Sequence, residues 1–258
     1  MGLIRSIILL CSLFGMMTPA SADTKWQDRN IILCAEDAGW PPFSFPLNTP
    51  TESFKGFNAD LMKLIFNKHS INYEVVIRPW KRCLNDGAIG DVSVVMDAAK
   101  NSEREKKYLL TEPIYSLTPI VFFAKAKSHL YPAHLVASDL QTLRACGQKG
   151  YTYNNFGFDN ERVELISESL LHVFELAVLE RCDIGLARKE VFLNELKSFP
   201  DSHKLDYRTL ENASKESFYW MINRQLEFAD ELKQLIDKEV SELYRSGKAQ
   251  ALLKVYVQ

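Results

Sequence analysis

The amino-acid sequence predicts an α/β protein that is built from two modules of similar size. Three observations support this fold class. Strands and amphipathic helices alternate over the first half of the chain, the same alternation returns in the second half, and 47% of the 258 residues are hydrophobic. Such alternation is typical of a parallel sheet covered by helices, and this apolar content is enough to bury a core. The length suits one large domain or two small ones.

The first module is predicted to contain three strands and two helices. Two prolines in Trp40-Pro41-Pro42-Phe43 fix the backbone and bar a helix, which predicts a stiff turn. Leu61, Leu64 and Ile65 recur with a helical period, so the helix that opens at Gly56-Phe57 has one apolar face. In chain order we predict a strand at 31–34, the turn at 40–43, a helix from 56 onwards, a strand at 73–77, a helix from Pro79 through 84, and a strand at 92–96.

The second module repeats the alternation and ends in a long helix. That helix stops at Gly247, and Arg245 and Lys248 near its C-terminus suit the helix dipole. In this half we predict strands at 120–124, 143–147, 183–187 and 217–222, and helices at 169–180, 190–196 and 229–244.

Residues 1–22 have the features of a secretory signal peptide. Arg5 supplies the positive charge, residues 7–17 form a short apolar run, and Ala20-Ser21-Ala22 is a small-x-small cleavage site. The alternative is an uncleaved membrane anchor, but the apolar run is shorter than the ~20 residues that a span needs. Cys11 lacks the preceding small residues of a lipoprotein signal. We therefore expect the mature chain to begin at Asp23 and to be exported, with a periplasmic location.

Charge and motifs exclude several functional classes. Lys plus Arg number 31 against 33 Asp plus Glu, so the chain lacks the basic excess that favours a nucleic-acid or anionic-membrane partner. The motifs G-x-G-x-x-G, H-E-x-x-H and G-x-S-x-G and the phosphate-binding Walker loop are absent from the sequence. The five histidines are scattered, with no pair at i,i+4. We expect no metal, no cofactor and no nucleic-acid partner.

Four cysteines remain after cleavage at Ala22, namely Cys34, Cys83, Cys146 and Cys182. An even number of cysteines in an exported protein predicts disulfides. The count alone leaves three pairings open.

Several short motifs follow one another in an informative order. They are Trp40-Pro41-Pro42-Phe43, Gly56-Phe57-Asn58-Ala59-Asp60-Leu61, Asn101-Ser102-Glu103-Arg104, Leu110-Thr111-Glu112-Pro113-Ile114-Tyr115, Gly150-Tyr151-Thr152-Tyr153 and Cys182-Asp183-Ile184-Gly185. In this order, and over nearly all of 29–256, the sequence resembles the family 3 periplasmic solute-binding proteins, which are the amino-acid-binding receptors of ABC uptake systems. Trp80-Lys81-Arg82 resembles a divergent branch whose members often have no assigned ligand.

The resemblance implies a two-lobe periplasmic-binding-protein fold of type II, with two crossover strands and a ligand cleft between the lobes. Lobe 1 would comprise 23–119 plus 222–258 and lobe 2 would comprise 120–221, with crossovers near 120–124 and 218–222. Closure of the lobes on a small molecule is a hinge mechanism. With this division, Cys34–Cys83 and Cys146–Cys182 are the pairings that stay within a lobe and leave the hinge free.

The resemblance also assigns Arg104 to the ligand's carboxylate, which a guanidinium binds with two parallel donors. The alternative is a surface arginine in the charged run 103–107. For the other residues below, the alternatives are core packing, capping or a solvated position. Trp40 and Trp80 are candidates for cleft walls, because aromatic faces cover ligand stems and cations. The remaining candidates are Asp97 at the carboxyl end of a strand, Asp37 for an ammonium group, Arg82, and Thr152 and Tyr151 on the loop of the second lobe.

Two departures from the family pattern affect the predicted ligand. Asn101 stands where the family has threonine. The second-lobe acid that holds an α-ammonium falls on Arg188 or Lys189. Either Glu190 is the acid, or the ligand is not an ordinary α-amino acid. With Arg104 and Arg188 both in the cleft, a ligand with two acidic groups would fit better.

The sequence thus predicts a monomeric, exported solute-binding protein without enzymatic activity. It would capture a small polar, carboxylate-bearing metabolite and present it to the membrane permease of an ABC uptake system. One alternative is a sensory subunit whose closed form docks on a membrane receptor. Another is an enzyme of the cyclohexadienyl dehydratase type, with Asp37, Asp97 or Glu190 as the general acid.

Overall fold

The computed structural model describes residues 26, 28–47, 54–157, 160–211 and 213–257. The predicted signal peptide, Cys11 and Asp23 lie outside the described residues. The elements of the first half are β1 (Asn30–Glu36), β2 (Phe45–Pro46), β3 (Phe54–Lys55), α1 (Phe57–Lys68), β4 (Asn72–Arg78), α2 (Trp80–Ile89), β5 (Val94–Ala99), α3 (Ser102–Lys107), β6 (Tyr108–Leu110) and β7 (Tyr115–Leu117).

The second half contains six strands and four helices, together with short 3-10 turns. These elements are β8 (Pro119–Ala124), β9 (Ala145–Gln148), β10 (Val163–Ser167), α4 (Leu170–Val178), β11 (Ile184–Arg188), α5 (Lys189–Leu196), β12 (Leu205–Thr209), β13 (Glu216–Asn223), α6 (Ala229–Arg245) and α7 (Lys248–Tyr256).

Two mixed sheets form the frame of the protein. The first has the order β4-β1-β5-β13-β6, with β7 also paired to β13. Its β4, β1 and β5 are parallel, as the alternating pattern predicts, whereas β13 runs antiparallel to β5, β6 and β7. The second sheet has the order β10-β9-β11-β8-β12, with β8 antiparallel to both of its neighbours. The two-module α/β architecture is therefore confirmed.

The chain passes between the sheets at Thr118, which joins β7 to β8, and returns through the segment between β12 and β13. The predicted crossovers near 120–124 and 218–222 instead lie inside β8 and β13, each of which pairs within one sheet. The lobe division at 119/120 and 221/222 stays a prediction. For the second of these boundaries, a position near Glu216 agrees better with the strand pairing than 221/222 does. The reason is that β13 is hydrogen-bonded to the first sheet from Glu216 onwards.

Helices and strands with strong periodicity lie close to their predicted positions. The strand predicted at 92–96 lies at Val94–Ala99, and the long helix predicted at 229–244 lies at Ala229–Arg245. Helix α7 was not predicted, because Gly247 signals the end of the preceding helix and no second helix was expected after it. Gly247 has a left-handed backbone that ends α6 and also precedes the first turn of α7.

Each sheet module contains one disulfide. Cys34 on β1 is bonded to Cys83 on α2. Cys146 on β9 is bonded to Cys182, two residues before β11. This is the pairing that the resemblance favoured, and neither bond links the two sheets. Over the described part of the chain, the helices are too short or too polar to cross a membrane.

Candidate functional site

A narrow cavity lies between the two sheet modules. Its first wall includes the carboxyl ends of β1 and β5, which is where open α/β sheets place their ligands. Its second wall is the loop after β9 and the end of β11. The lining residues of the first module are Glu36, Trp40, Trp80, Met96, Asp97, Ala99, Arg104 and Phe218, and those of the second are Tyr151, Thr152 and Arg188.

Arg104 is buried in the first wall and has no carboxylate partner among the described residues. It belongs to the short helix α3, which Asn101 caps by accepting a hydrogen bond from the Arg104 backbone N–H at 2.8 Å. The side chain is 7% exposed. Its guanidinium donates to the carbonyl of Ala99 at 2.6 Å and to that of Gly150 at 3.0 Å, and it stacks on Trp80.

Within the described residues, the Arg104 guanidinium forms no ion pair with an acidic side chain. Burial, and after it the neighbouring Arg188 cation, lowers the pKa of Arg104 to about 10, while Glu216 opposes this shift. The group is still protonated at neutral pH. The first wall therefore presents a buried positive charge whose hydrogen-bond acceptors, among the described residues, are backbone carbonyls.

Arg188, at the end of β11, is buried in the second wall but is paired. Its Nε donates to Glu216 Oε2 at 2.7 Å, and its Nη2 bonds both Glu216 and the carbonyl of Thr152. The rings of Tyr153 and Phe156 pack against the guanidinium. The Arg188 charge is thus compensated by the protein itself.

Glu36 ends β1 and places a buried carboxyl group in the cavity. It is 7% exposed, and the Tyr151 hydroxyl donates a hydrogen bond to its Oε2. Burial raises the pKa of Glu36 to about 8. The Tyr151 hydrogen bond opposes this rise, and repulsion from Asp37, Asp97 and Glu168 adds to it. The carboxyl group is therefore largely protonated at neutral pH in the empty cleft.

Asp97 lies on β5 with a left-handed backbone, at φ 59°. Such a conformation is uncommon outside glycine, although aspartate tolerates it better than most residues. Its carboxylate accepts hydrogen bonds from the Asn58 amide at 2.5 Å and from the Tyr115 hydroxyl. Burial raises the pKa of Asp97 to about 6, while hydrogen bonds from Ser44, Tyr115 and Asn58 lower it. Asp97 is mostly ionised at neutral pH.

Aromatic rings cover the remaining walls. Trp40 lies 5.4 Å from Tyr151 and 5.4 Å from Phe218, measured between ring centroids, and Trp80 lies 6.2 Å from Tyr151. Among the described residues, the Trp40 indole N–H is a buried side-chain donor that lacks a hydrogen-bond acceptor. Burial raises the pKa of Tyr115 well above its usual range, and the nearby Trp40 indole N–H opposes this rise. The indole N–H and the Tyr115 hydroxyl do not have the geometry of a hydrogen bond.

The Gly150–Tyr151 loop holds the walls together across the cavity through three hydrogen bonds. The carbonyl of Gly150 accepts from both Trp80 Nε1 and Arg104, at 3.0 Å each. The third is the Tyr151–Glu36 hydrogen bond. Gly150 has φ 81°, and a Cβ atom there would lie 2.9 Å from Trp80 Cδ1. Only glycine fits this close approach of the second wall to the first.

Seven of the nine predicted ligand residues line this cavity. They are Arg104, Asp97, Trp40, Trp80, Tyr151, Thr152 and Arg188. Their contact with a ligand stays a prediction, because the cavity lining shows only their proximity.

Asp37 and Arg82 are not among the residues that line this cavity, and their contact with a ligand stays a prediction. Asp37 follows the end of β1 and is exposed. Arg82 is on the outer face of α2, with its side chain 67% exposed, and pairs with Asp86 one turn later at 3.3 Å. Glu190 is also outside the cavity, since its carboxylate accepts from the backbone N–H and hydroxyl of Thr118 at 3.0 and 3.1 Å.

Four cavity residues and the partner of Arg188 were not predicted. The cavity residues are Glu36, Met96, Ala99 and Phe218, and the partner is Glu216. The position of Glu36 could have indicated its role, because Glu36 lies at the carboxyl end of the first parallel strand. Asp97 was selected for the same kind of position, directly after a predicted strand. Phe218 and Glu216 arrive on the returning strand β13, which no local pattern links to the cavity. Within the described residues, no group of three or more His, Cys, Asp or Glu side chains could hold a metal ion.

The two α/β modules and the cavity between them form a two-lobe fold. The family model for bacterial extracellular solute-binding proteins, family 3, matches residues 32–258. The chain belongs to this family. A search of curated proteins finds no match.

Solved structures with the same fold come from proteins of several kinds. An amino acid ABC transporter substrate-binding protein from Streptococcus pneumoniae bound to L-arginine is 17% identical, with a TM-score of 0.71 over 90% of this chain and 95% of that one. A histidine kinase sensor domain similar to periplasmic binding proteins is 14% identical, with a TM-score of 0.75 over 90% and 97%. An ancestral amino-acid-binding protein, a precursor of cyclohexadienyl dehydratase, is 18% identical, with a TM-score of 0.69 over 89% and 96%. At these identities the likeness shows the fold.

Proposed function

We propose that this protein is a periplasmic solute-binding protein that captures a small carboxylate-bearing, amino-acid-like metabolite by hinge closure and presents it to an ABC-type permease. The observation that carries this proposal is the buried Arg104 guanidinium, which has no anionic partner among the described residues. A carboxylate ligand would supply the missing anion.

The energetics favour an anionic ligand at this place. A buried charge without a counter-ion is costly. A guanidinium carries five N–H donors in a planar fork, and Arg104 uses its Nη1 and Nη2 atoms for the carbonyls of Ala99 and Gly150. Donors of the Arg104 guanidinium thus remain for a carboxylate.

The ligand with two acidic groups, which the sequence suggested, is less well supported. That hypothesis required Arg188 to act as a second free cation. Glu216 already neutralises Arg188 from behind the cavity. The first wall also carries Asp97, which is mostly ionised at neutral pH and would repel a second carboxylate.

Sensing is a second candidate role, which the likeness to a histidine kinase sensor domain favours. Transport and sensing use the same closure, so they differ only in the membrane partner. Purified ligand-loaded protein should stimulate ATP hydrolysis by the cognate permease in proteoliposomes if the role is uptake. Phosphorylation of a kinase without any stimulated ATP hydrolysis by the permease would instead establish the sensory role.

An enzymatic role is the third candidate, since the raised pKa values of Glu36 and Asp97 suit a general acid, and a neighbour is a precursor of a dehydratase. Incubation with prephenate and arogenate, followed by proton NMR, tests it. We expect both compounds to remain unchanged. Turnover that Glu36→Gln abolishes would establish the enzyme.

Thermal unfolding of residues 23–258 tests the binding role. The compounds are the twenty proteinogenic amino acids, ornithine, glutarate, succinate and hexanoate. A compound at 100 times its dissociation constant should stabilise the protein by about 2.7 kcal/mol. For a chain of this size that corresponds to a rise of roughly 5–10 °C in Tm.

Arg104→Ala is the test variant, and Arg82→Ala is its matched control. Both remove one arginine, but Arg82 lies on the outer face of α2. We expect Arg104→Ala to lose the shift and Arg82→Ala to keep it. A shift that survives Arg104→Ala unchanged would contradict the proposed role of Arg104 as the carboxylate receptor.

A further inference from the structure

We propose that Tyr151 is an internal occupant of the cleft, which holds the two walls together and limits the size of the ligand, because a ligand has to displace its side chain. The Tyr151 side chain reaches from the second wall to the end of β1 in the first. The inference rests on the proposed function in one respect, since the displaced side chain gives way to a ligand whose carboxylate Arg104 receives. The effect of Tyr151 on closure can be measured without any ligand.

The Tyr151 side chain makes three contacts with the first wall. Its hydroxyl donates a hydrogen bond to Glu36 Oε2. Its ring lies edge-on to Trp40 and to Trp80, with ring centroids 5.4 Å and 6.2 Å apart. The ring also packs against the apolar cores of both modules. A single side chain of the second wall thus bridges the polar and the aromatic parts of the first wall.

Little room remains in the cleft beside Tyr151. The space open to the centre of a water molecule measures about 20 Å³. A cavity needs about 10–15 Å³ of such space to hold one water molecule, so this cleft has room for about one or two. Even glycine is larger than that. The walls can therefore close on an amino-acid-like ligand only after the Tyr151 side chain has moved.

The backbone on either side of Tyr151 is anchored in the second wall. The carbonyl of Thr152 accepts a hydrogen bond from Arg188 Nη2 at 2.8 Å, and the hydroxyl of Tyr153 accepts one from the Gln148 backbone N–H at 2.7 Å. Thr152 and Arg188, the other second-wall residues that line the cavity, are thereby held in place. The Tyr151 side chain is consequently the part of this wall that can give way to a ligand.

An internal occupant weakens ligand binding by competition. The apparent dissociation constant is the intrinsic one divided by the fraction of molecules in which the site is free. If Tyr151 fills the cleft in about 90% of molecules, the dissociation constant is raised about tenfold. This penalty grows with the length of the ligand, because a longer ligand needs more of the space that the ring fills between Trp40 and Trp80.

The first measurement follows closure without a ligand. Spin labels are attached to residues 23–258 through Glu74→Cys on β4 and Glu164→Cys on β10, both of which are exposed. These edge strands lie three positions from β13 and β8, the strands that follow the crossovers, so opening of the cleft should move the labels apart. The four native cysteines of this segment are disulfide-bonded, so the labels attach to the introduced ones. Double electron–electron resonance measures the distance between the labels.

Two variants separate the role of the ring from that of the hydroxyl. Tyr151→Phe removes the hydroxyl and keeps the ring, so the packing of the loop is preserved. Tyr151→Ala removes both. The matched control is Tyr131→Phe. The Tyr131 hydroxyl donates to the carbonyl of Asp183 at 3.2 Å, and this contact stays within the second module.

We expect one short label distance in wild-type protein and in Tyr131→Phe, a longer one in Tyr151→Ala, and a mixture of the two in Tyr151→Phe. The second measurement is calorimetric titration of the unlabelled proteins with glycine and L-arginine. L-Arginine should bind Tyr151→Ala at least tenfold more tightly than wild-type protein, and glycine should gain less affinity. Tyr131→Phe should bind both compounds like wild-type protein.

Two outcomes would overturn the inference. Equal label distances in wild-type protein and in both Tyr151 variants would show that Tyr151 does not hold the walls together. Equal or weaker binding of L-arginine by Tyr151→Ala would show that a ligand does not have to displace the ring. Failure of the proposed function has a different signature. A longer distance in Tyr151→Ala, with neither compound bound by any of the proteins, would support Tyr151 as the occupant and contradict the capture of an amino-acid-like ligand.

Discussion

The two walls of the cavity each bury one arginine but treat its charge differently. Arg188 in the second wall is 2% exposed and is paired with Glu216 at the start of β13, so its charge is compensated within the protein. Arg104 in the first wall is nearly as buried, yet its described acceptors are backbone carbonyls. Burial alone therefore does not mark a group that awaits a ligand. The absence of a compensating charge is the better criterion.

The same contrast applies to two glutamates. Glu216 meets a cation, whereas Glu36 meets a hydroxyl and has its pKa raised to about 8. The first wall thus contains both Arg104 and Glu36, whose described hydrogen-bond partners carry no opposite charge. The second wall supplies closing contacts through Gly150 and Tyr151. This division suggests that a ligand docks on the first wall and that the second wall then covers it.

The largest expected effect concerns the buried ion pair between Arg188 and Glu216. Glu216→Ala leaves the Arg188 cation buried and unpaired, which costs about 3–5 kcal/mol and should lower the Tm of the ligand-free protein by roughly 6–20 °C. Glu103→Ala removes a glutamate from an exposed pair with Lys107 and should change the Tm little. Differential scanning calorimetry measures both. A Glu216→Ala protein as stable as Glu103→Ala would show that Arg188 does not depend on its partner.

An intermediate effect is expected where the second wall approaches the first. Gly150→Ala and Gly247→Ala both place a Cβ on a left-handed backbone, at φ 81° and 77°, which costs about 1–2 kcal/mol of stability in each case. Only the Cβ at position 150 meets another residue, since Gly247 has open space around it.

Calorimetric titration with the amino acid of highest affinity separates the two glycine variants. We expect Gly150→Ala to weaken binding by about tenfold, equivalent to 1.4 kcal/mol, because its methyl group pushes Trp80 away from the closing loop. Gly247→Ala should bind like the wild-type protein. Equal affinities of both variants would mean that closure does not need the contact between Gly150 and Trp80.

The smallest expected effect on stability concerns Arg104. Arg104→Met removes an uncompensated buried charge and keeps apolar contact with Trp80, so the ligand-free protein should change by less than about 1 kcal/mol in either direction. The Tm of the ligand-free variant checks this, and its binding should be lost. A destabilisation as large as that of Glu216→Ala would show that Arg104 is structural and would remove the main difference between the walls.

Much of the fold was predictable because it depends on local periodicity. The parallel strands β1, β4 and β5 and the helices α1 and α6 lie close to where apolar spacing places them. Short strands such as β6 and β7 were missed, since three residues carry too little pattern. Of the predicted site residues, Asp97 and Arg188 on strands and Tyr151 and Thr152 in the Gly150 loop line the cavity. Asp37 and Arg82 do not, because Asp37 is exposed after the end of β1 and Arg82 lies on the outer face of α2, which only the packing of these elements decides.

The sequence by itself determined the α/β class, the motif order that marks the family, and the residue types available for a ligand. Only the tertiary structure decided which charges are compensated. The Arg188–Glu216 pair spans 28 residues and the Tyr151–Glu36 contact spans 115. Such pairs depend on how strands and loops meet across the cleft, so neither helical nor strand periodicity encodes them. The ligand chemistry of this protein therefore rests on contacts between residues that are distant in the chain.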